Sequence, residues 1–142
     1  MKIFVDTSAW FALYEPAEVR HGAARRFFER EQRRSIELFT SDYILDESLT
    51  LIRFKINHAA ALAFGRKILG SHLTHLIEVN RSIRDKAWEY FRRHSDQSYS
   101  FTDCTSFVLM RQLHIRCAFA FDDHFRHVGF TLLPVKADSQ PF

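Results

Sequence analysis

Two short apolar runs, each closed by acid, constrain this chain more than any other feature. Ile3-Phe4-Val5 stops at Asp6-Thr7-Ser8, and Cys117-Ala118-Phe119-Ala120-Phe121 stops at Asp122-Asp123. Successive side chains of a strand point to opposite faces, so a run without polar alternation fits a strand covered on both sides, as in a parallel sheet between helices. The expectation is an α/β fold with a central, mostly parallel sheet. Open sheets of that kind take ligands outside the carboxyl ends of their strands, which is where Asp6 and Asp122 would stand.

The chain between the runs reads as helices with two further short strands. Glu15-Pro16-Ala17-Glu18 is a turn, and His21 to Arg34 a charged helix with Arg26, Arg30 and Arg33 on one face and Ala24 and Phe27 away from it. Such a stripe reads as a solvated face, with an RNA or protein surface as the alternative. Glu37 to Thr40 is β-like, and Ser41-Asp42 caps a helix from Tyr43 to about Phe54. Asn57 to Gly70 is a further helix with Gly70 as its C-cap, Leu73 to Val79 a strand, and Asn80 caps a helix through Phe91. Thr131-Leu132-Leu133 reads as a final edge strand. At 142 residues the whole, 1–142, is expected to form a single domain, with 134–142 a flexible tail.

Composition excludes some classes. A chain that is 46% hydrophobic and holds 15 Phe can bury enough apolar surface to offset its conformational entropy, so disorder is not expected. No run approaches the roughly 20 apolar residues of a membrane helix, and the N-terminus reads as a strand, so neither anchor nor secretion signal is expected and the cytoplasm is the expected compartment. Cys104 and Cys117 both sit in apolar runs and read as buried, reduced thiols. A net charge of +3 and a pI near 9.1 permit a polyanionic partner without requiring one.

Four acids then stand out. On a helical wheel Ile44, Leu45, Ser48, Leu49, Leu51 and Ile52 fill one arc of their helix; Glu47 falls at its edge and Asp46 on the far side. Ser100 and Asp103 have capping-box spacing at the start of a helix that is apolar almost all round, so Asp103 is a cap, a site residue, or both. If Asp6, Glu47, Asp103 and Asp122 converge, their mutual repulsion amounts to several kcal/mol at about 4 Å. Raised pKa values or a divalent cation would relieve it, and oxygen ligands suit Mg²⁺ or Mn²⁺. Metal-assisted hydrolysis is the chemistry such a cluster performs.

Val5-Asp6-Thr7-Ser8, Glu47 within an apolar helix, Ser100-Phe101-Thr102-Asp103, and Phe121-Asp122-Asp123-His124-Phe125 followed by Gly129-Phe130 together resemble the PIN-domain family, in particular the VapC-type toxin ribonucleases. The resemblance covers nearly the whole chain. It implies a three-layer α/β/α fold and an Mg²⁺- or Mn²⁺-dependent endoribonuclease with one or two ions. Asp6, Asp103 and Asp122 would be the metal ligands, Glu47 a fourth ligand or the group that orients water, and Thr7 or Ser8 would join that shell or cap the helix. Many relatives carry a basic residue after the last acid, where this chain has Asp123; Asp122 is preferred because it is read as ending its strand. The resemblance also implies a small antitoxin partner and a homodimer.

Three rivals remain open on sequence alone. A haloacid-dehalogenase-like phosphohydrolase would use Asp6 as nucleophile, but its second acid would fall at Ser8. A non-catalytic domain of the same fold would bind RNA or protein through the basic helix. A zinc site built from His124, His127 and Cys117 lacks ligands.

Overall fold

A computed structural model of the chain describes residues 1–135. In chain order these form β1 (Lys2–Val5), α1 (Thr7–Tyr14), α2 (His21–Gln32), β2 (Glu37–Ser41), α3 (Asp42–Lys55), α4 (His58–Gly70), β3 (Thr74–Ile77), α5 (Arg81–Arg93), α6 (Phe101–Gln112), β4 (Cys117–Phe119), α7 (His124–His127) and β5 (Thr131–Leu133). The strands make one sheet, ordered β3-β2-β1-β4-β5, and every pairing is parallel. Ile3, Phe4 and Val5 are consecutive, point to alternate faces and are fully buried, so helices cover both sides of the sheet. The three-layer α/β/α arrangement follows from that burial. Among the described residues no helix is long and apolar enough to cross a membrane.

The strand order places the site. From β1 the chain steps outward through β2 to β3, then returns across β1 to pair β4 on its other flank. The order therefore reverses between β1 and β4, and at such a switch point the loops leaving two adjacent strands diverge and open a crevice. Asp6 is the first residue beyond β1. Its backbone N–H still bonds Phe119 O of β4 at 3.0 Å, so it stands at the mouth of that crevice.

Local chemistry explains most helix boundaries. Ser41, Asn57, Asn80 and Ser100 each accept a hydrogen bond from the backbone N–H three residues on, at the starts of α3, α4, α5 and α6. α6 is buried from Asp103 through Met110, as its all-round apolar sequence requires. Phe107 at its centre packs against Tyr90, Tyr99, Phe125 and Phe130, tying α5, α6 and the chain after β4 into one core.

Several boundaries differ from expectation. α4 ends in Ser71 as C-cap with extended backbone, and Gly70 stays helical with no positive φ, so Gly70 is not the cap. The strand expected over 73–79 is limited to Thr74–Ile77, because Val79 N–H leaves the ladder to donate to Asp42 Oδ1 at 2.9 Å. β4 stops at Phe119 rather than Phe121. Ala120 N–H still reaches Leu133 O, but Phe121 N–H turns to the Ser8 hydroxyl at 3.0 Å, so a side chain ends the ladder before the acids. The tail expected at 134–142 falls mostly on residues 136–142, outside the described residues.

Cys104 is buried, Cys117 is half-buried, and both are free. Burial, aided by the neighbouring Asp103 charge, pushes the Cys104 thiol up to about 11, which leaves it unreactive at neutral pH.

Candidate active site

Asp6 both starts a helix and carries charge into the crevice. It is the N-cap of α1: its Oδ2 accepts from Ser8 N–H at 3.2 Å and from the Ser8 hydroxyl at 2.7 Å. The cap is thus the acid itself, and the two following hydroxyls serve around it. Ser8 Oγ also accepts from Phe121 N–H, locking the chain after β4 to the start of α1. Thr7 Oγ1 accepts from the Ser48 hydroxyl at 3.2 Å, and the Thr7 hydroxyl lies close enough to Glu47 to lower its pKa. A polar chain inside the crevice therefore runs from α3 through Thr7 back to Glu47.

The wheel's distinction between neighbouring acids matches the burial. Asp46 is exposed while Glu47 is half-buried, facing Thr7. Burial raises the Glu47 pKa, the Thr7 hydroxyl pulls it back, and the charges of Asp103, Asp46 and Asp122 raise it further. Asp6 is affected more. Desolvation lifts its pKa from 3.8 to about 7, opposed by the Ser8 hydrogen bonds and reinforced by Asp103 and Glu47. These mutual influences bring all four predicted acids into one electrostatic neighbourhood.

Asp103 is the cap that its sequence predicted, and the same carboxylate also faces His124. The capping box is complete: Ser100 Oγ accepts from Asp103 N–H, and Asp103 Oδ2 accepts from Ser100 N–H, each at 3.0 Å. The same Oδ2 lies 3.0 Å from His124 Nδ1 and so faces the crevice. Capping fixes the carboxylate's position with backbone geometry, which is what a ligand needs.

Asp122 is the acid of its pair that enters the cluster, though not for the reason expected. It lies beyond the end of β4 rather than directly at it. Its Oδ1 accepts from His124 N–H at 3.0 Å, folding the loop so that the carboxylate stands 3.2 Å from His124 Nδ1. Asp123 is exposed and pairs with Arg126 at 3.2 Å.

His124 is the residue that sequence reasoning misses. The sequence sets it beside His127 and Cys117 as a zinc ligand, but His127 is exposed and Cys117 sits at the start of β4, whereas Asp122 follows its end. Among the described residues, Asp103, Asp122 and His124 offer ligand atoms that all lie within 4.8 Å of one another. Acid spacing gives no hint of an imidazole there; its position two residues after Asp122, at the start of a one-turn helix, is the available signal. Carboxylate oxygens with one nitrogen form a donor set that fits a divalent cation; Asp6, whose pKa is raised chiefly by burial, lies beside that group and outside it.

The basic stripe lies elsewhere. Arg26, Arg30 and Arg33 of α2 and its C-cap are exposed opposite buried Ala24 and Phe27, with Arg30 paired to the buried Glu31 and its guanidinium over the Phe27 ring.

Comparison with known proteins supplies the rest. A family model described as the PIN domain matches residues 3–131. The 23S rRNA-specific endonuclease VapC20 of Mycobacterium tuberculosis is 38% identical over 128 residues, spanning 90% of this chain and 95% of that protein. A VapC ribonuclease of Archaeoglobus fulgidus is 27% identical over 127 residues, covering 88% of this chain and 80% of its own length. The crystal structure of VapC20, described as a sarcin–ricin loop cleaving toxin, superposes with a TM-score of 0.84 at 37% identity over 91% of this chain and 96% of that one. FitAcB from Neisseria gonorrhoeae shares the fold alone, with a TM-score of 0.64 at 11% identity over 92% of this chain and 95% of that one.

Proposed function

This chain belongs to the PIN-domain family, with relatives of the VapC type, and from that premise we propose that it is a metal-dependent endoribonuclease, the toxin of a toxin–antitoxin pair. The observation that carries the proposal is Asp6: a carboxylate buried at the switch point, with its pKa lifted to about 7 chiefly by that burial, the charges of Asp103 and Glu47 acting on it, and Asp122 acting in turn on Glu47. Residues 1–142 act as a single nuclease domain in this reading, working in the cytoplasm.

Asp6, Asp103 and Asp122 are the proposed ligands of Mg²⁺ or Mn²⁺, the ions that largely oxygen donor sets favour. When bound, such an ion makes water a better nucleophile and stabilises the charge that develops on the phosphodiester. The chain's own residues contribute position. Ser8 holds Asp6, the capping box holds Asp103, and the His124 backbone holds Asp122. Glu47, whose pKa burial raises and the Thr7 hydroxyl lowers, is the residue we assign to orient the attacking water and take its proton.

The phosphohydrolase alternative is not favoured: Ser8 binds Asp6 where that chemistry needs a second acid, and the relatives are nucleases. The first substrate to test is an RNA hairpin of the sarcin–ricin loop, because the relative VapC20 is named for cleaving it. Cleavage is expected with added Mg²⁺ or Mn²⁺ and none in EDTA. Turnover undiminished by EDTA would overturn the metal assignment, and binding without cleavage under every condition would favour a non-catalytic domain.

Two paired substitutions test the acid assignments. Glu47→Gln is expected to slow cleavage at least about tenfold and Asp46→Asn to stay within about twofold of wild type, measured as single-turnover rates on one RNA. Asp122→Asn and Asp123→Asn should separate in the same way. If Asp123→Asn were the more damaging of the two, the assignment of the last acid would pass to Asp123.

For partners, we propose a small antitoxin and a homodimer. An apolar cleft between α3 and α4, lined by Leu49, Phe54, Ala61, Leu62 and Leu69, leaves Phe54 78% and Leu69 66% exposed. Exposed apolar area of this kind favours a protein partner. Light scattering of the chain alone and co-expressed with any small reading frame next to its gene measures both; a monomer in each case would refute them.

A further inference from the structure

We propose that His124 Nδ1 is a direct ligand of the catalytic cation and that it gives the site a preference for Mn²⁺ over Mg²⁺. The inference rests on the reading that the acid cluster holds a divalent ion.

The geometry points to ligation. Two donors about 2.1 Å from an octahedral ion and at right angles to each other are separated by about 3.0 Å. His124 Nδ1 lies 3.0 Å from Asp103 Oδ2 and 3.2 Å from Asp122 Oδ1, the spacing of adjacent octahedral corners. The ring is held in that attitude from three sides. Its backbone N–H is bonded to Asp122 Oδ1, its edge meets the Tyr99 ring at 5.2 Å and 79°, and its Nε2 lies 3.4 Å from the Ser98 hydroxyl. In the tautomer that presents a lone pair at Nδ1, the proton sits on Nε2, where Ser98 Oγ accepts it. A partner on the second ring nitrogen is the usual means by which proteins orient a ligating histidine. Ser98, Tyr99 and Ser100 are consecutive, so one short segment orients His124 and caps Asp103 together.

The chemistry sets the selectivity. Mg²⁺ is a hard ion that keeps water and oxygen ligands; Mn²⁺ shares its octahedral oxygen sites but, as a first-row transition ion, also takes imidazole. A nitrogen beside the carboxylates therefore contributes to Mn²⁺ binding and little to Mg²⁺ binding.

The test is electron paramagnetic resonance of Mn²⁺ added to the purified chain, with pulsed detection of nitrogen coupling. Wild type is expected to bind Mn²⁺ and to show coupling to a directly bonded ¹⁴N. Two variants separate ligation from positioning. His124→Asn can still donate a hydrogen bond to the acids but offers no imidazole lone pair, and His124→Phe keeps the ring edge against Tyr99. Both should lose the nitrogen coupling and bind Mn²⁺ about tenfold more weakly, while Mg²⁺ affinity by competition changes less than about twofold. Bound Mn²⁺ without nitrogen coupling in wild type would refute the ligand role and leave the acid site standing. Equal weakening of both ions in the variants would refute the selectivity. No Mn²⁺ binding by wild type would overturn the acid-site reading and this proposal with it. Should either variant fail to fold, the wild-type spectrum decides alone.

Discussion

Asp6→Asn and Asp103→Asn are each expected to lower RNA cleavage by at least about a hundredfold, since even residues that only support metal ligands cost about 10- to 100-fold when replaced. Both variants should remain folded, for a local reason. Asn is as good an N-cap as Asp, and its amide oxygen can accept the Ser8 and Ser100 backbone bonds that the carboxylates accept now. What Asn lacks is the negative charge that holds a cation. The loss of dipole complementarity at the start of α6 is about 0.3–1 kcal/mol, too little to unfold the chain. Single-turnover cleavage of one RNA, with circular dichroism on the same samples, measures both effects. Wild-type rates in both folded variants would end the assignment of this cluster as the active site.

The second large effect is a stability that falls as pH rises, opposite to the usual behaviour of a carboxylate. Asp6 has a folded pKa near 7 against an unfolded value of 3.8, because burial penalises its charged form. Between those values the folded chain binds the proton and the unfolded chain does not, so the contribution of Asp6 is fully present below about pH 4 and is lost as pH rises through 7. The ceiling on that loss is about 4 kcal/mol, because each tenfold difference in proton affinity between the folded and unfolded chain is worth about 1.4 kcal/mol. Glu47, also raised, acts in the same direction. In EDTA, urea unfolding of wild type should show Asp6→Asn to be the more stable protein at pH 8, with the difference vanishing near pH 4. Adding Mn²⁺ at pH 8 should stabilise wild type and leave the variant nearly unchanged, since binding to the folded state alone shifts the equilibrium by mass action. Parallel pH profiles for the two proteins would show that Asp6 ionises freely.

Both effects have one origin. The fold places the Asp6 carboxylate where water cannot solvate it and beside the charges of Asp103 and Glu47, an arrangement that costs stability and, in the proposed reading, would create affinity for a cation. On that reading, function and instability at Asp6 would be two consequences of the same desolvation.

Much of this is legible in one dimension because the signals are local. Strand β1 announces itself by three consecutive apolar residues, the helix starts by Ser41, Asn57, Asn80 and Ser100 at their caps, and the choice of Glu47 over Asp46 by helical periodicity alone. Ends are harder. Gly70 looks like a C-cap because glycine commonly is one, but nothing in its surroundings demands a positive φ. The end of β4 is misread in the sequence because the group that stops it, the Ser8 hydroxyl, is 113 residues away along the chain.

The same distinction divides the site. Sequence by itself pointed to the fold class, to Asp6, Glu47 and Asp103 as candidate acids, and to the cap at Asp103, since each of these signals lies within one or two helical turns. Only the tertiary structure decided that Asp122 rather than Asp123 faces the crevice, that Asp6 is its own helix cap, and that His124 joins the acids. Those three facts depend on which loop folds over which strand end. A loop's path is fixed by long-range hydrogen bonds and ring contacts, such as Phe121 to Ser8 and His124 to Tyr99, that leave no periodicity in the chain.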